Sequence, residues 1–176
     1  MSAADARNQA NMTIQSLKSP SQNGLISAAV SVAIALAAGA IDGLATASSV
    51  TTWYAGLNKP PFNPPNAVFG PVWTILYVVM ALAAWRVWRA SAAAPRRRAL
   101  TLYAVQLVLN LAWSLIFFGL RQPGFALVEV IALLAAVLST AVAFWRVDRP
   151  AGLMMVPYAT WVTFATALNF AIWRLN

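Results

Sequence analysis

Hydrophobic positions along the chain fall into five long runs, separated by short polar or proline-rich breaks. A bilayer core of about 30 Å needs roughly 20 apolar residues in helical form. The runs from about Leu25 to Ala47, Pro71 to Ala90, Ala99 to Leu120, Pro123 to Trp145 and Ala151 to Trp173 meet that length. Pro71, Pro123 and Pro150 stand at or just before expected helix starts, where a missing N–H costs nothing. Pro157 falls inside the first turns of the fifth run and predicts a mild kink there. The pattern predicts an all-α integral membrane protein, a five-transmembrane-helix bundle over residues 25–176. Residues 1–24 are rich in Ser, Asn, Gln and Ala and read as a disordered polar tail. The alternative for this end is a signal peptide, with Lys18 as its positive flank and Ala45-Thr46-Ala47 as its cleavage site. Against it, the apolar stretch is long for such a segment and carries Asp42.

Composition supports the membrane reading. Of 176 residues, 61% are hydrophobic and 9% charged, against about 25% charged in a soluble domain. The mean hydropathy is +0.69. The net charge of +8 needs no nucleic acid, because the cations sit between apolar runs and encode topology. Arg7, Lys18, Arg86, Arg89, Arg96, Arg97, Arg98, Arg146 and Arg149 fall on one side; Lys59, Arg121 and Arg174 fall on the other. That asymmetry predicts a cytoplasmic N-terminus and an outward first loop, as in an inner-membrane helical protein. The sequence contains no Cys and no His, which excludes disulfides, thiol catalysis, the usual zinc sites and histidine-ligated haem.

Three features exceed what a generic bundle needs. The loop from Trp53 to Pro65 holds Tyr54, Lys59, Pro60, Pro61, Pro64 and Pro65, and its prolines fix φ and resist collapse into helix. It reads as a stiff aromatic lid over one mouth of the bundle; the plainer alternative is an interfacial anchor of Trp and Tyr. On the third run, Tyr103, Gln106, Asn110, Trp113 and Phe117 share one helical face. Its amides must look inward, either for interhelical hydrogen bonding or toward a cavity. On the last run, Tyr158, Trp161, Ala165, Asn169 and Ile172 recur every three or four residues, and Trp73 and Tyr77 can face the same interior. Aromatic planes with amides, few charges and no metal ligand suit a large flat apolar molecule with polar edges.

The remaining polar groups carry less. Asp42 and Glu129 are intramembrane carboxylates, functional candidates by default, but no nucleophile–base pair accompanies them and no catalytic residue is assigned. Asp148 between Arg146 and Arg149 reads as local charge balance. The Arg96–Arg98 run reads as a positive anchor, with anionic-lipid contact secondary. Ala35, Gly39, Gly43 and Ala47 recur every four residues and form a groove for close approach, either of an internal helix or of a second subunit.

These motifs resemble the tryptophan-rich sensory protein / translocator protein family, also called peripheral-type benzodiazepine receptors. The resemblance spans about Leu25 to Asn176. Its most specific pieces are the Trp53–Pro65 loop with Phe69, Trp73 and Tyr77, then Gln106, Asn110, Trp113, Ser114, Phe117 and Phe118, then Pro157, Tyr158, Trp161, Ala165, Asn169, Trp173 and Asn176. It implies a five-helix bundle, often a homodimer, that binds porphyrin or haem-related tetrapyrroles and needs no cofactor. Position by position, it implies a pocket of Trp53, Trp73, Tyr77, Asn110, Trp113, Trp161 and Ala165. The family's sterol motif is incomplete, with Phe170 in Leu168–Arg174 where its Tyr belongs, so sterol binding is not expected. The compact ending is similar to bacterial members, some of which are placed in outer membranes. The expected function is a receptor or carrier of tetrapyrroles, for sensing, transport or regulation. The alternatives are light- and oxygen-dependent porphyrin degradation and a lipid-organising role.

Overall fold

The computed structural model describes residues 3–176 except 91 and 92, with side chains from Gly24 onward apart from Ala45. Its elements are α1 (Ala3–Thr51), a short 3₁₀ turn (Tyr54–Gly56), α2 (Asn66–Trp88), α3 (Ala93–Ser114) continued by a π-turn (Leu115–Gly119), α4 (Pro123–Val147), α5 (Arg149–Met154) and α6 (Val156–Leu175). The side chains of the expected polar tail up to residue 23 lie outside the described residues. No strand occurs among the described residues.

Among the described residues, five segments are long and apolar enough to cross a membrane: Gly24–Leu44, Asn66–Trp88, Ala93–Gly119, Pro123–Val147 and Arg149–Leu175. Their outward positions stay apolar, with Leu25, Ile41, Leu44, Val108, Phe125 and Val128 all exposed. Such a surface is unsuited to water and suited to hydrocarbon. The buried face is lined by small and aromatic residues, including Ala81, Ala83, Ala84, Val137, Phe144 and Tyr158. Small residues let the backbones approach, which is how helices associate when lipid is as apolar as the side chains. α3 packs along α4, α4 along α6, and α1 along α2.

Three helix starts differ from the sequence expectation. α2 begins at Asn66 rather than Pro71. Pro65, fixed at φ −55° and ψ 140°, turns the chain into the helix, and Pro71 sits inside it, removing the N–H that would bond the Ala67 carbonyl. α3 begins at Ala93, so Arg96, Arg97 and Arg98 are helical rather than loop residues. Arg96 donates from Nη1 to the Ala90 carbonyl at 3.0 Å, tying the α2–α3 corner. The kink expected at Pro157 is a full break at Met155, with Pro157 in the first turn of α6, where its lack of an N–H is harmless.

That break gives the fifth span a separate first segment, α5, held by one carboxylate. Asp148 accepts from the Ala151 N–H at 3.2 Å as the N-cap of α5. It also accepts from Arg86 Nε at 2.6 Å and Nη2 at 3.2 Å, joining α2 to the α4–α5 corner. The adjacent guanidinium holds the Asp148 carboxyl below its usual range. Its stabilisation is therefore complete above the ordinary carboxylate range and is lost as pH falls through the lowered folded value. Asp148→Asn, which can still cap α5 but loses the charge facing Arg86, is expected to cost up to about 1 kcal/mol at neutral pH. Thermal unfolding in detergent should show this gap to wild type narrowing in acid.

Candidate functional site

The interior divides into two parts. Toward the α2–α3 corner it is closely packed around Met80, Val87, Leu133, Val137 and Phe144. Toward the Trp53–Pro65 loop, α1, α2, the end of α3, the π-turn and α6 line a partly open cavity of about 710 Å³. Its aromatic wall is Tyr54, Phe69, Trp73, Tyr77, Trp113, Phe117, Phe118, Trp161 and Phe164. The α1 side is made of small residues, Gly39, Ala40, Gly43, Thr46 and Ala47. The groove of small residues is therefore turned inward. A Cβ at Gly39 would lie 2.7 Å from the Tyr77 ring, so only glycine lets that ring lie against α1. At Gly43 the same added carbon meets nothing within 4 Å, because the helices have already separated.

The aromatic rings support one another edge to face. Trp161 meets Phe69 with centroids 5.9 Å apart at 71°, and Trp73 at 6.5 Å and 87°. Trp73 also packs edge-on against Tyr158, and on Tyr77 with the planes tilted by 36° rather than edge to face. The edge-on arrangements set the negative face of one ring against the positive edge of the next. On the opposite wall Trp113 lies 5.6 Å from Phe117. Its orientation is fixed by its indole N–H, which donates to Asn169 Oδ1 at 3.1 Å, while Asn169 Nδ2 donates to the Pro123 carbonyl at 2.8 Å. One buried amide thus aligns an α3 tryptophan against α6 and the start of α4.

The loop closes the same end. Tyr54 is buried at 4% exposure between Phe117 and Phe118 and lines the cavity. Its hydroxyl donates to Asn63 Oδ1 at 2.7 Å, and burial pushes its pKa up to about 12. Lys59 Nζ lies over the Tyr54 ring at 4.9 Å and donates to the Ala55 and Leu57 carbonyls, each at 3.1 Å. Asn176 ties the loop to the end of α6: its Oδ1 accepts from the Asn58 N–H and its Nδ2 donates to the Asn58 carbonyl, both at 3.0 Å. Phe62 packs edge-on against Phe164.

Of the residues singled out from the sequence, Trp73, Tyr77, Trp113, Trp161 and Ala165 line this cavity, with Tyr54 from the loop. Trp53 supports from outside the wall, packing on Phe117 at 5.6 Å. Asn110 lies behind Tyr77, whose hydroxyl donates to its Oδ1 at 2.6 Å. It is 2% exposed and forms no part of the cavity wall. Its role is to hold Tyr77 in place. Lys59, Pro60, Pro61, Pro64 and Pro65 also do not reach the cavity; they shape the loop that carries Tyr54. Tyr77→Phe leaves Asn110 without that donor in a buried setting. It is expected to cost about 1–3 kcal/mol, read as a lower unfolding midpoint in detergent.

The two intramembrane carboxylates separate cleanly. Asp42 lines the cavity, its Oδ2 accepting from Ser114 Oγ at 2.9 Å across the α1–α3 seam. Glu129 lies on α4, which contributes nothing to the cavity wall, and both its oxygens are buried without a hydrogen-bond partner among the described residues. No group of three or more Asp, Glu, His or Cys side chains able to hold a metal occurs among the described residues.

Residues 31–174 match the TspO/MBR family. The chain belongs to the TspO/MBR family. Among its relatives, the tryptophan-rich protein TspO of Archaeoglobus fulgidus is 44% identical over 146 residues, covering 83% of this chain and 94% of the relative. The translocator protein of Homo sapiens is 43% identical over 126 residues, covering 70% of this chain and 75% of its own length. The tryptophan-rich sensory protein of Cereibacter sphaeroides is 44% identical over 124 residues, covering 70% and 77%. With its five apolar spans, this TspO/MBR chain is an integral membrane protein.

One element of the TspO/MBR site was not expected from the sequence. The π-turn at Leu115–Gly119 adds a residue to one turn of helix, with the Leu120 N–H bonding the Leu115 carbonyl at 2.8 Å. The wider turn brings the neighbouring Phe117 and Phe118 both onto the cavity wall. Arg121, at φ 56°, then turns the chain so that Pro123 can start α4. The double Phe before a Gly was the only available signal.

Proposed function

We propose that the cavity beneath the loop binds tetrapyrroles, porphyrin or haem intermediates, and similar flat apolar molecules, for sensing, transport or regulation. One observation carries the reading: an aromatic-walled, partly open cavity of about 710 Å³ on the loop side of the bundle. That volume falls in the range of about 300–1,000 Å³ that holds compact ligands, and such sites are lined by apolar rings with few polar groups. Affinity comes from burial and from contact with Trp73, Trp113 and Trp161, while the loop excludes lipid and headgroups from the mouth. The names of the relatives, translocator and sensory protein, agree with a ligand-handling role. The same reading places the N-terminus and the arginine-rich end on the cytoplasmic side of a bacterial inner membrane, with lipids as constant partners and a second copy of the chain as a further one.

The test is equilibrium titration of the purified protein with protoporphyrin IX, followed by quenching of intrinsic tryptophan fluorescence. Saturable quenching is expected, weakened about tenfold in Trp161→Ala through loss of its ring contacts. Quenching that is linear in ligand and indifferent to the substitution means partition into the micelle and removes the proposal.

A further inference from the structure

We propose that Asp42 is a polar anchor of the cavity and selects occupants that present an amine or N–H donor over occupants that present a carboxylate. This rests on the cavity being a ligand pocket and says which edge of the ligand meets which wall. Among the described residues, Asp42 is the only acidic side chain lining the space, and no lysine or arginine lines it. Its Oδ2 accepts from Ser114 Oγ at 2.9 Å. Its Oδ1 is buried and has no hydrogen-bond partner among the described residues. An acceptor withdrawn from water without a donor is unfavourable, more so at membrane depth.

The neighbours do not relieve it. Thr46 Oγ1, one turn along α1, donates to the Asp42 main-chain carbonyl at 2.9 Å rather than to the carboxylate. The Tyr77 hydroxyl is committed to Asn110 Oδ1 at 2.6 Å. Gly43, beside Asp42, leaves open space where a side chain would otherwise stand. At Oδ1 the described surroundings thus provide an acceptor, room beside it and no competing donor. A protonated amine or N–H group on the edge of a flat ligand completes that arrangement. A carboxylate placed there meets like charge with no cation to offset it, and turns instead to the loop mouth.

The experiment compares 1-pyrenemethylamine with 1-pyreneacetic acid, two flat probes of matched body and opposite polar edge. Binding is read by tryptophan-to-pyrene energy transfer in nanodiscs of zwitterionic lipid, with empty discs as blank. The wild type is expected to bind the amine at least about tenfold more tightly than the acid. In Asp42→Asn the ratio should fall to within about twofold, and in Asp42→Glu, which keeps the charge, it should persist. Protoporphyrin IX titrated into the wild type shows whether the cavity takes a flat ligand, and thermal unfolding of Asp42→Asn beside the wild type shows whether that variant is folded. An unchanged ratio in Asp42→Asn, or a wild type that favours the acid, overturns the proposal while leaving the pocket standing. Porphyrin binding without saturable binding of either pyrene does the same. Failure of porphyrin and both pyrenes to bind the wild type overturns the pocket and the anchor together.

Discussion

Replacing Ala165 with phenylalanine is expected to lower the affinity for protoporphyrin IX by about 100-fold, close to 3 kcal/mol. Ala165 lies on α6 between Trp161 and Asn169 and is the small residue on an otherwise bulky wall. Trp161 on one side of it is held by Phe69, Trp73 and Phe164. Asn169 on the other is held by Trp113 and the Pro123 carbonyl. Neither neighbour can step aside, so an added ring enters the cavity and takes the space of a flat guest. The fold should tolerate the change, because the new ring fills a void rather than a packed core. Retained thermal stability with lost binding separates this outcome from simple misfolding.

Gly152→Val is expected to have the largest effect on stability, at least about 3 kcal/mol. A Cβ at Gly152 would lie 2.6 Å from the Trp145 Cα, 2.6 Å from its Cβ and 2.7 Å from its backbone nitrogen. Two of these atoms are main chain inside α4, so nothing rotates out of the way. The clash would force α5 off α4 at the corner where Asp148 caps α5 and grips Arg86. Unfolding in detergent should shift sharply downward, and Gly152→Ala should produce a smaller shift in the same direction. By contrast, Gly43→Ala, which meets open space, should leave stability near wild type.

The hydrophobic pattern made five spans legible because each run is long and nearly free of charge, and all but the first are bounded by proline or arginine. The helix starts were less legible. The pattern marks Pro71 as the first residue of α2, yet Pro65 already directs the chain into helix, and Pro71 is accommodated inside it. Spacing also grouped Asn110 with Trp113 and Phe117 on one inward face, and all three do point inward. Spacing cannot report depth behind the wall, however, and Tyr77 stands between Asn110 and the cavity. The π-turn was beyond reach of a fixed 100° period, because the extra residue breaks that period where Phe117 and Phe118 join the wall. Asp42 was visible as an intramembrane acid, but its pairing with Ser114 depends on how α1 crosses the end of α3. The small-residue groove had two possible partners by sequence; the Gly39–Tyr77 contact makes that stretch internal.

The central claim is that a flat tetrapyrrole occupies the space between α1, α2, the π-turn and α6. Absorption titration of protoporphyrin IX in nanodiscs tests it most directly, with wild type beside Ala165→Phe and beside Trp88→Ala, an exposed tryptophan far from the cavity. The account predicts one saturable site per chain, lost in Ala165→Phe and unchanged in Trp88→Ala. Equal binding by all three proteins, or a larger loss in Trp88→Ala, would place the porphyrin on the lipid-facing surface and contradict the account.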